Sequence, residues 1–226
     1  MSDTSQTQDL WSAVDRFFSP SVPSDEALDA ALAASDAAGL PAIQVTPQQG
    51  KLLHLLARMV GARRILELGT LGGYSTIWLG RALPSGGSLV TLEADPKHAD
   101  VARANVARAG LATLVDLRLG RALDTLPQLA TESREPFDFV FIDADKANIP
   151  EYFTWALKLT RRGSVVVVDN VVRAGKVTDP DTTDENVRGV QRFAAQLAAE
   201  KRVSATVVQT VGSKGYDGFA LALVEG

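Results

Sequence analysis

The sequence predicts an α/β protein built on a doubly wound, mostly parallel sheet. From Arg63 onward, short apolar runs alternate with stretches of helical period, the signature of strand-helix-strand units. Two of those runs, Phe137-Asp138-Phe139-Val140-Phe141-Ile142 and Val165-Val166-Val167-Val168, are almost continuously apolar, as strands buried on both faces of a parallel sheet are. Acidic residues follow each of them, Asp143-Ala144-Asp145-Lys146 and Asp169-Asn170, at the carboxyl ends where open sheets bind ligands.

Taken in order, helices are expected at Asp9 to Phe18 and Asp25 to Ala38, separated by Ser19-Pro20-Ser21-Val22-Pro23 and closed by Gly39 with Pro41 behind it. A third helix starts at Thr46 as N-cap, with Pro47 in its first turn and Gln49 completing a capping-box pattern, and ends at Gly61. Strands follow at Ile65 to Leu68, Ser88 to Glu93, Val115 to Leu119, Phe137 to Ile142 and Ser164 to Val168. Helices separate them near Tyr74 to Leu83, Lys97 to Ala109, Arg121 to Ala130 and Ile149 to Leu159. After a loop from Val171 to Thr183 come a helix, Asp184 to Ala199, and strands near Ser204 to Thr210 and Gly218 to Val224. The short Gly-Ser-Lys-Gly-Tyr-Asp connection makes a hairpin of the last two, so the final strand runs antiparallel.

The 226 residues suit one domain with a sizeable core. A formal charge of −4 supplies no diffuse positive field, which argues against nucleic acid as a partner. Absence of cysteine excludes disulfides, thiolate zinc sites, iron–sulfur clusters and cysteine nucleophiles. The acidic start lacks a basic n-region and a long apolar h-region, and no later apolar run is long enough to cross a bilayer, so a cytoplasmic protein without membrane contact is expected.

The candidate site has two halves. Three oxygen donors, Asp143, Asp169 and Asn170, with the amine of Lys146, make a metal-assisted catalytic centre. The turn Glu67-Leu68-Gly69-Thr70-Leu71-Gly72-Gly73-Tyr74-Ser75 lets backbone approach a ligand closely. It departs from G-x-G-x-x-G because Leu71 stands at the second glycine, which disfavours a pyrophosphate. Glu93 ends the next strand at the distance where an acid accepts hydrogen bonds from ribose hydroxyls. With Glu67 and Asp145 adding negative charge, a sulfonium that carries a ribose and an amino group fits. The bland alternatives are a tight turn, a solvated strand end and a loop ion pair between Lys146 and its acidic neighbours. His54 and His98 read as structural, and Trp11, Trp78 and Trp155 as packing residues.

The runs ILELGTLGGYSTIWLGRAL (65–83), VTLEADP (90–96), FDFVFIDADKANIPEYF (137–153) and VVVVDNVVRAGKV (165–177) resemble the cation-dependent S-adenosylmethionine O-methyltransferases that include catechol and caffeoyl-CoA O-methyltransferases. The resemblance extends from about Val45 to the C-terminus, and DADK with the later DN is its most specific part. It implies a Rossmann-like class I methyltransferase fold, a seven-stranded sheet with an antiparallel last strand, usually in a homodimer. Residues 1–44 would then be a helical extension and 45–226 the catalytic core. It further implies that Val45, Glu67, Gly69, Thr70, Ser75, Glu93, Ala122 and Asp145 surround S-adenosylmethionine. Asp143, Asp169 and Asn170 would hold a divalent cation, Mg2+ with Mn2+ or Ca2+ as substitutes, and Lys146 would be the general base. The acceptor implied is a small aromatic with two adjacent hydroxyls, of catechol, hydroxycinnamoyl or flavonoid type. Where the plant caffeoyl-CoA enzymes carry Trp-Asn after the DN pair, this chain has Arg173-Ala174, so a substrate contact there is lost or replaced. Competing readings are a nicotinamide-dependent oxidoreductase, which needs the absent G-x-G-x-x-G, and a non-catalytic S-adenosylmethionine-binding subunit, which needs no metal ligands or lysine.

Overall fold

A computed structural model describes residues 3–132 and 135–226. Its elements are α1 (Asp3–Phe18), α2 (Glu26–Ala37), α3 (Pro47–Met59), β1 (Arg64–Leu68), α4 (Tyr74–Gly80), β2 (Ser88–Glu93), α5 (Pro96–Arg108), β3 (Val115–Leu119), α6 (Ala122–Glu132), β4 (Phe137–Ile142), α7 (Ile149–Leu159), β5 (Thr160–Asp169), α8 (Glu185–Ala199), β6 (Val203–Gly212) and β7 (Gly215–Val224). The strands form one sheet in the order β3-β2-β1-β4-β5-β7-β6, in which β7 is antiparallel to both neighbours and every other pairing is parallel. This is the expected seven-stranded architecture, and its strand order reverses between β1 and β4. A crevice opens there at the carboxyl ends of the strands.

Side-chain alternation divides the core between the two faces. Leu66, Leu68, Val140, Ile142, Val166 and Val168 pack under α6, α7 and α8, with Leu126, Phe153 and Phe193 among their partners. Ile65, Phe139, Phe141, Val165 and Val167 face the other way, toward Leu28 of α2, Leu53 of α3, Ile77 of α4 and Val106 of α5. Burial on both faces accounts for the continuous apolar runs of β4 and β5. Each fully buried phenylalanine, such as Phe139 or Phe153, contributes roughly 1.5–3 kcal/mol relative to exposure.

Several elements differ from the sequence expectation. α1 begins at Asp3 rather than Asp9, because its polar first turns show no apolar period. α4 stops at Gly80 rather than Leu83, since the amides of Ala82 and Leu83 bond three residues back and tighten into a turn. The hairpin is tighter than expected: β6 and β7 extend to Gly212 and Gly215, and Ser213-Lys214 alone joins them. Gly215 closes that turn with a left-handed φ of 91°. The expected loop from Val171 contains a short 3-10 segment, Arg173–Thr178. No helix among the described residues is long and apolar enough to cross a membrane.

Candidate functional site

The β1–α4 turn passes so close to the end of β4 that a Cβ on Gly69 would stand 2.3 Å from the carbonyl oxygen of Asp143. Glycine is therefore required there, and its φ of 90° adds a second reason. Leu71 is also left-handed, with φ of 51°. Such backbone persists only where its surroundings over-determine it. Glu93 at the end of β2 does so: one carboxylate oxygen accepts from the amides of Thr70 (3.1 Å) and Leu71 (2.8 Å), and the other from Asp95 (2.9 Å). Glu67 stands behind the loop, fully buried. Its carboxylate accepts from the hydroxyls of Ser75 (2.7 Å), Thr76 (2.5 Å) and Thr91 (2.7 Å). Burial pushes the Glu67 carboxyl up to about 7 against the pull of those hydroxyls, and the charge of Asp143 adds to the rise.

The second half of the site gathers at the ends of β4 and β5. The Asp143 amide donates to the carbonyl of Leu68 (2.8 Å), which fixes the β4 exit beside β1. Lys146 opens a 3-10 turn, Lys146–Asn148, and its buried Nζ donates to Asp143 Oδ1 at 2.6 Å. α8 presses on this turn through Gly189, where a Cβ would stand 2.1 Å from the Lys146 carbonyl oxygen. Asp145 accepts from the Asn148 amide group (2.5 Å) and from the Tyr152 hydroxyl, whose proton affinity is raised by burial and by the Asp145 charge. Asp169 ends β5, buried; its Oδ1 accepts from the Asn170 amide (2.8 Å) and its Oδ2 from Gln49 Nε2 (2.7 Å). Burial, then the neighbouring charge of Asp143, holds the Asp169 carboxyl above the usual carboxylate range.

Asn170 adopts a left-handed φ of 58°, which asparagine tolerates, and its carboxamide makes no hydrogen bond among the described residues. Two carboxylates and a free amide oxygen are hard donors of the kind magnesium, manganese and calcium take. Burial and, after it, the charge of Asp143 disfavour the Asp169 carboxylate, and a bound cation would offset both, so the residues fit such an ion. No group of three or more His, Cys, Asp or Glu is arranged to hold a metal among the described residues. The set here is two acids and an amide.

Two clefts meet at these residues. One, of about 700 Å³, is lined by Gly69, Thr70, Ser75, Glu93, Ala122, Asp143, Asp145 and Lys146, and the other, of about 610 Å³, by Gln49, Leu52, Asp169, Lys214, Tyr216 and Phe219. Val45, Asn170 and Arg173 border both. Apart from Glu67, which touches the first cleft only through Ser75, every site residue expected from sequence faces one cleft or the other.

The sequence reading missed Gln49, Tyr152 and Lys214, and met Arg173 only as a departure from the family pattern. Gln49 looked like a capping partner, and its amide does donate to Thr46 Oγ1 (3.1 Å), but its side chain crosses to Asp169 instead of returning to the cap. Of the two histidines read as structural, His54, bonded to the Trp78 carbonyl (3.1 Å), keeps away from both clefts, whereas His98 lines the larger one, its Nδ1 3.7 Å from Glu93.

Comparison with known proteins places this geometry among methyl-transferring enzymes. The O-methyltransferase family matches residues 20–223. A catechol O-methyltransferase from Niastella koreensis is 54% identical over 217 residues, spanning 96% of this chain and 98% of that protein. The crystal structure of an O-methyltransferase from Bacillus cereus in complex with SAH superposes with a TM-score of 0.95 at 57% identity, covering 96% of this chain and 100% of the other. The O-methyltransferase TomG from Streptomyces achromogenes, in complex with SAM, superposes with a TM-score of 0.94 at 56% identity and covers 100% of both chains.

Proposed function

The chain belongs to the O-methyltransferase family and is an S-adenosylmethionine-dependent enzyme, and from that premise we propose that it works with a divalent cation and methylates one hydroxyl of a vicinal dihydroxy aromatic. The observation that carries this reading is the meeting of Asp143, Lys146, Asp169 and Asn170 at the junction of the two clefts. The larger cleft takes the methyl donor and the smaller one the acceptor. In support, the Niastella koreensis relative bears the name catechol O-methyltransferase.

Glu93, Asp145 and Asp143 set negative charge around the larger cleft, which suits a sulfonium and opposes a diphosphate. Gly69, Thr70, Ser75, Ala122 and Val45 supply the close walls, and Glu67 holds Ser75 in place from behind. A nicotinamide reading loses on both the family match and the glycine turn. A phenol has a pKa near 10 by analogy with tyrosine, so its proton must be removed for attack. Lys146 Nζ, held by Asp143, would accept that proton in its neutral amine form. Asp143, Asp169 and Asn170 would hold the cation, which when bound supplies Lewis acidity toward the acceptor oxygens. Gln49 fixes the Asp169 carboxylate from the acceptor side. The methyl group passes from sulfur to oxygen in line, and the wall residues exclude water during transfer.

The chain is further proposed to act as a cytoplasmic homodimer, with 1–44 as a helical extension to a core of 45–226. The edge strand β6 exposes Val207, Val208 and Val211, and α1, which packs on it, exposes Leu10, Val14, Phe17 and Phe18. An exposed apolar edge of this length is a pairing surface. The decisive experiment is methyl transfer to a catechol before and after exhaustive chelation. Activity should vanish with EDTA and return with magnesium, and full activity in chelated enzyme would overturn the metal reading.

A further inference from the structure

The acceptor cleft holds two cationic side chains, Arg173 and Lys214, with no carboxylate in ion-pair contact among the described residues. The Arg173 guanidinium makes no hydrogen bond and no ion pair among the described residues, and its Nε is buried without a partner. A buried unpaired guanidinium nitrogen is costly, and such groups are normally matched by an anion. Its placement is enforced by strained backbone. Asn170, Arg173 and Ala174 all have positive φ, of 58°, 55° and 55°. Asp217 of β7 clamps this run by accepting from the amides of Val172 (3.1 Å) and Arg173 (2.9 Å). Strain held by a dedicated carboxylate is characteristic of ligand clamps.

Across the same cleft, Lys214 projects from the β6–β7 turn. Among the described residues its Nζ donates only to main-chain carbonyls, those of Ala42 (3.3 Å) and Gln44, and has no carboxylate within ion-pair distance, while the charges of Asp143 and Asp169 act on it from further off. The carboxylates lining the cleft are already engaged. Asp15 accepts from the Ser213 amide (2.7 Å), Asp217 from the amides just named, and Asp169 from Gln49 and Asn170. Two cations with no carboxylate in ion-pair contact among the described residues therefore face the space beside the proposed reacting centre.

Resting on the acceptor assignment above, we infer that the acceptor is an acidic catechol, whose carboxylate is received by Arg173 with Lys214 as the second cation. A planar guanidinium matches a carboxylate with two parallel hydrogen bonds, which a neutral ester cannot reproduce and an ammonium substituent repels. Arg173 is a specificity residue: it touches a part of the acceptor that does not react.

The test compares 3,4-dihydroxybenzoate, its methyl ester and 3,4-dihydroxyphenethylamine as acceptors with magnesium and S-adenosylmethionine present. The wild-type enzyme should favour the acid over the ester by about tenfold or more in kcat/KM, with the amine poorest, as the loss of a charge-assisted pair dictates. Arg173→Gln should collapse the acid-to-ester ratio toward one, Arg173→Lys should restore part of it, and Lys214→Gln should lower it less. Because each ratio is measured within one variant, a partly folded preparation does not distort it. Equal wild-type rates on acid and ester would overturn the inference while leaving the catechol reading intact. An Arg173→Gln enzyme that loses S-adenosylmethionine affinity with its acid-to-ester ratio unchanged would assign the guanidinium to the cofactor and overturn it as well. No transfer to any of the three would remove the catechol reading itself, and the inference with it.

Discussion

Replacing Gly189 with alanine tests whether α8 positions the lysine proposed as base. The new methyl group would meet the Lys146 carbonyl oxygen at 2.1 Å, the Ala147 Cα at 2.7 Å and the Lys146 carbonyl carbon at 2.9 Å, all backbone atoms with no flexible end to swing aside. Alanine gains roughly 1 kcal/mol of helix propensity over glycine within α8, while overpacking of this kind costs about 1–3 kcal/mol. The backbone contact should win, leaving a net loss of roughly 0–2 kcal/mol. For a chain of this size, a loss of 1 kcal/mol lowers Tm by about 2–4 °C. Activity should suffer more than stability, because the relief of the contact moves the turn that carries Lys146, and a misplacement near 1 Å can cost on the order of 10²-fold. Thermal unfolding and kcat on a catechol, measured on the same preparation, give both numbers. A variant with raised Tm and wild-type kcat would show that α8 does not hold the Lys146 turn.

Lys146→Ala should lower kcat by about 10²–10⁴-fold at neutral pH, with partial recovery as hydroxide replaces the base; an unchanged rate at every pH would leave Lys146 as an ion-pair partner of Asp143. Asp169→Ala should abolish cation-dependent turnover yet largely spare S-adenosylmethionine binding, whereas Glu93→Ala should weaken the cofactor because the amides of Thr70 and Leu71 lose their acceptor. Titration calorimetry with S-adenosylmethionine separates the two, and equal losses would erase the division of the site. Glu67 supplies a pH test: its carboxyl rises from 4.5 to about 7 on folding, so the native state binds the extra proton. The stability from that protonated group is complete below about 4.5 and lost as pH climbs through about 7, a difference of roughly 3 kcal/mol. Chemical denaturation across that range should show a shallower pH slope for Glu67→Gln than for wild type, and identical slopes would mean Glu67 ionises as freely folded as unfolded.

Legibility in the sequence followed the range of the interactions involved. β4 and β5 were plain because burial on both faces makes them apolar throughout, and the acidic residues that follow them were found because they directly continue those strands. β6 was underestimated because nearly all of its residues are exposed and alternate with nothing; its length is set by pairing with β7. Gln49 lies 120 residues from the Asp169 it holds, and its local context already offered a satisfying role at the N-cap. Arg173 was noticed as a departure from a family pattern, but its unpaired state depends on what surrounds it in space. Glu67 reads as a cofactor contact only through the family resemblance, and from its own position as negative charge near the crevice. Its enclosure by Ser75, Thr76 and Thr91 appears only once α4 and β2 are packed against it.

The distribution of charge across the two clefts separates binding from catalysis. Methyl transfer from a sulfonium to a phenolate joins a positive to a negative centre and leaves both neutral, so contacts at the reacting atoms differ between ground and transition states. If the cations of the acceptor cleft act on a carboxylate that keeps its charge throughout, their contacts are equal in the two states. Arg173 and Lys214 should therefore appear chiefly in KM for an acidic acceptor, while Lys146, as the proposed base, should appear in kcat. Steady-state kinetics on 3,4-dihydroxybenzoate resolves the two: Arg173→Gln should raise KM severalfold with kcat changed less, and Lys146→Ala should do the reverse. Matching effects of both substitutions on kcat would place the guanidinium at the reacting oxygen and contradict the separation of roles derived from the clefts.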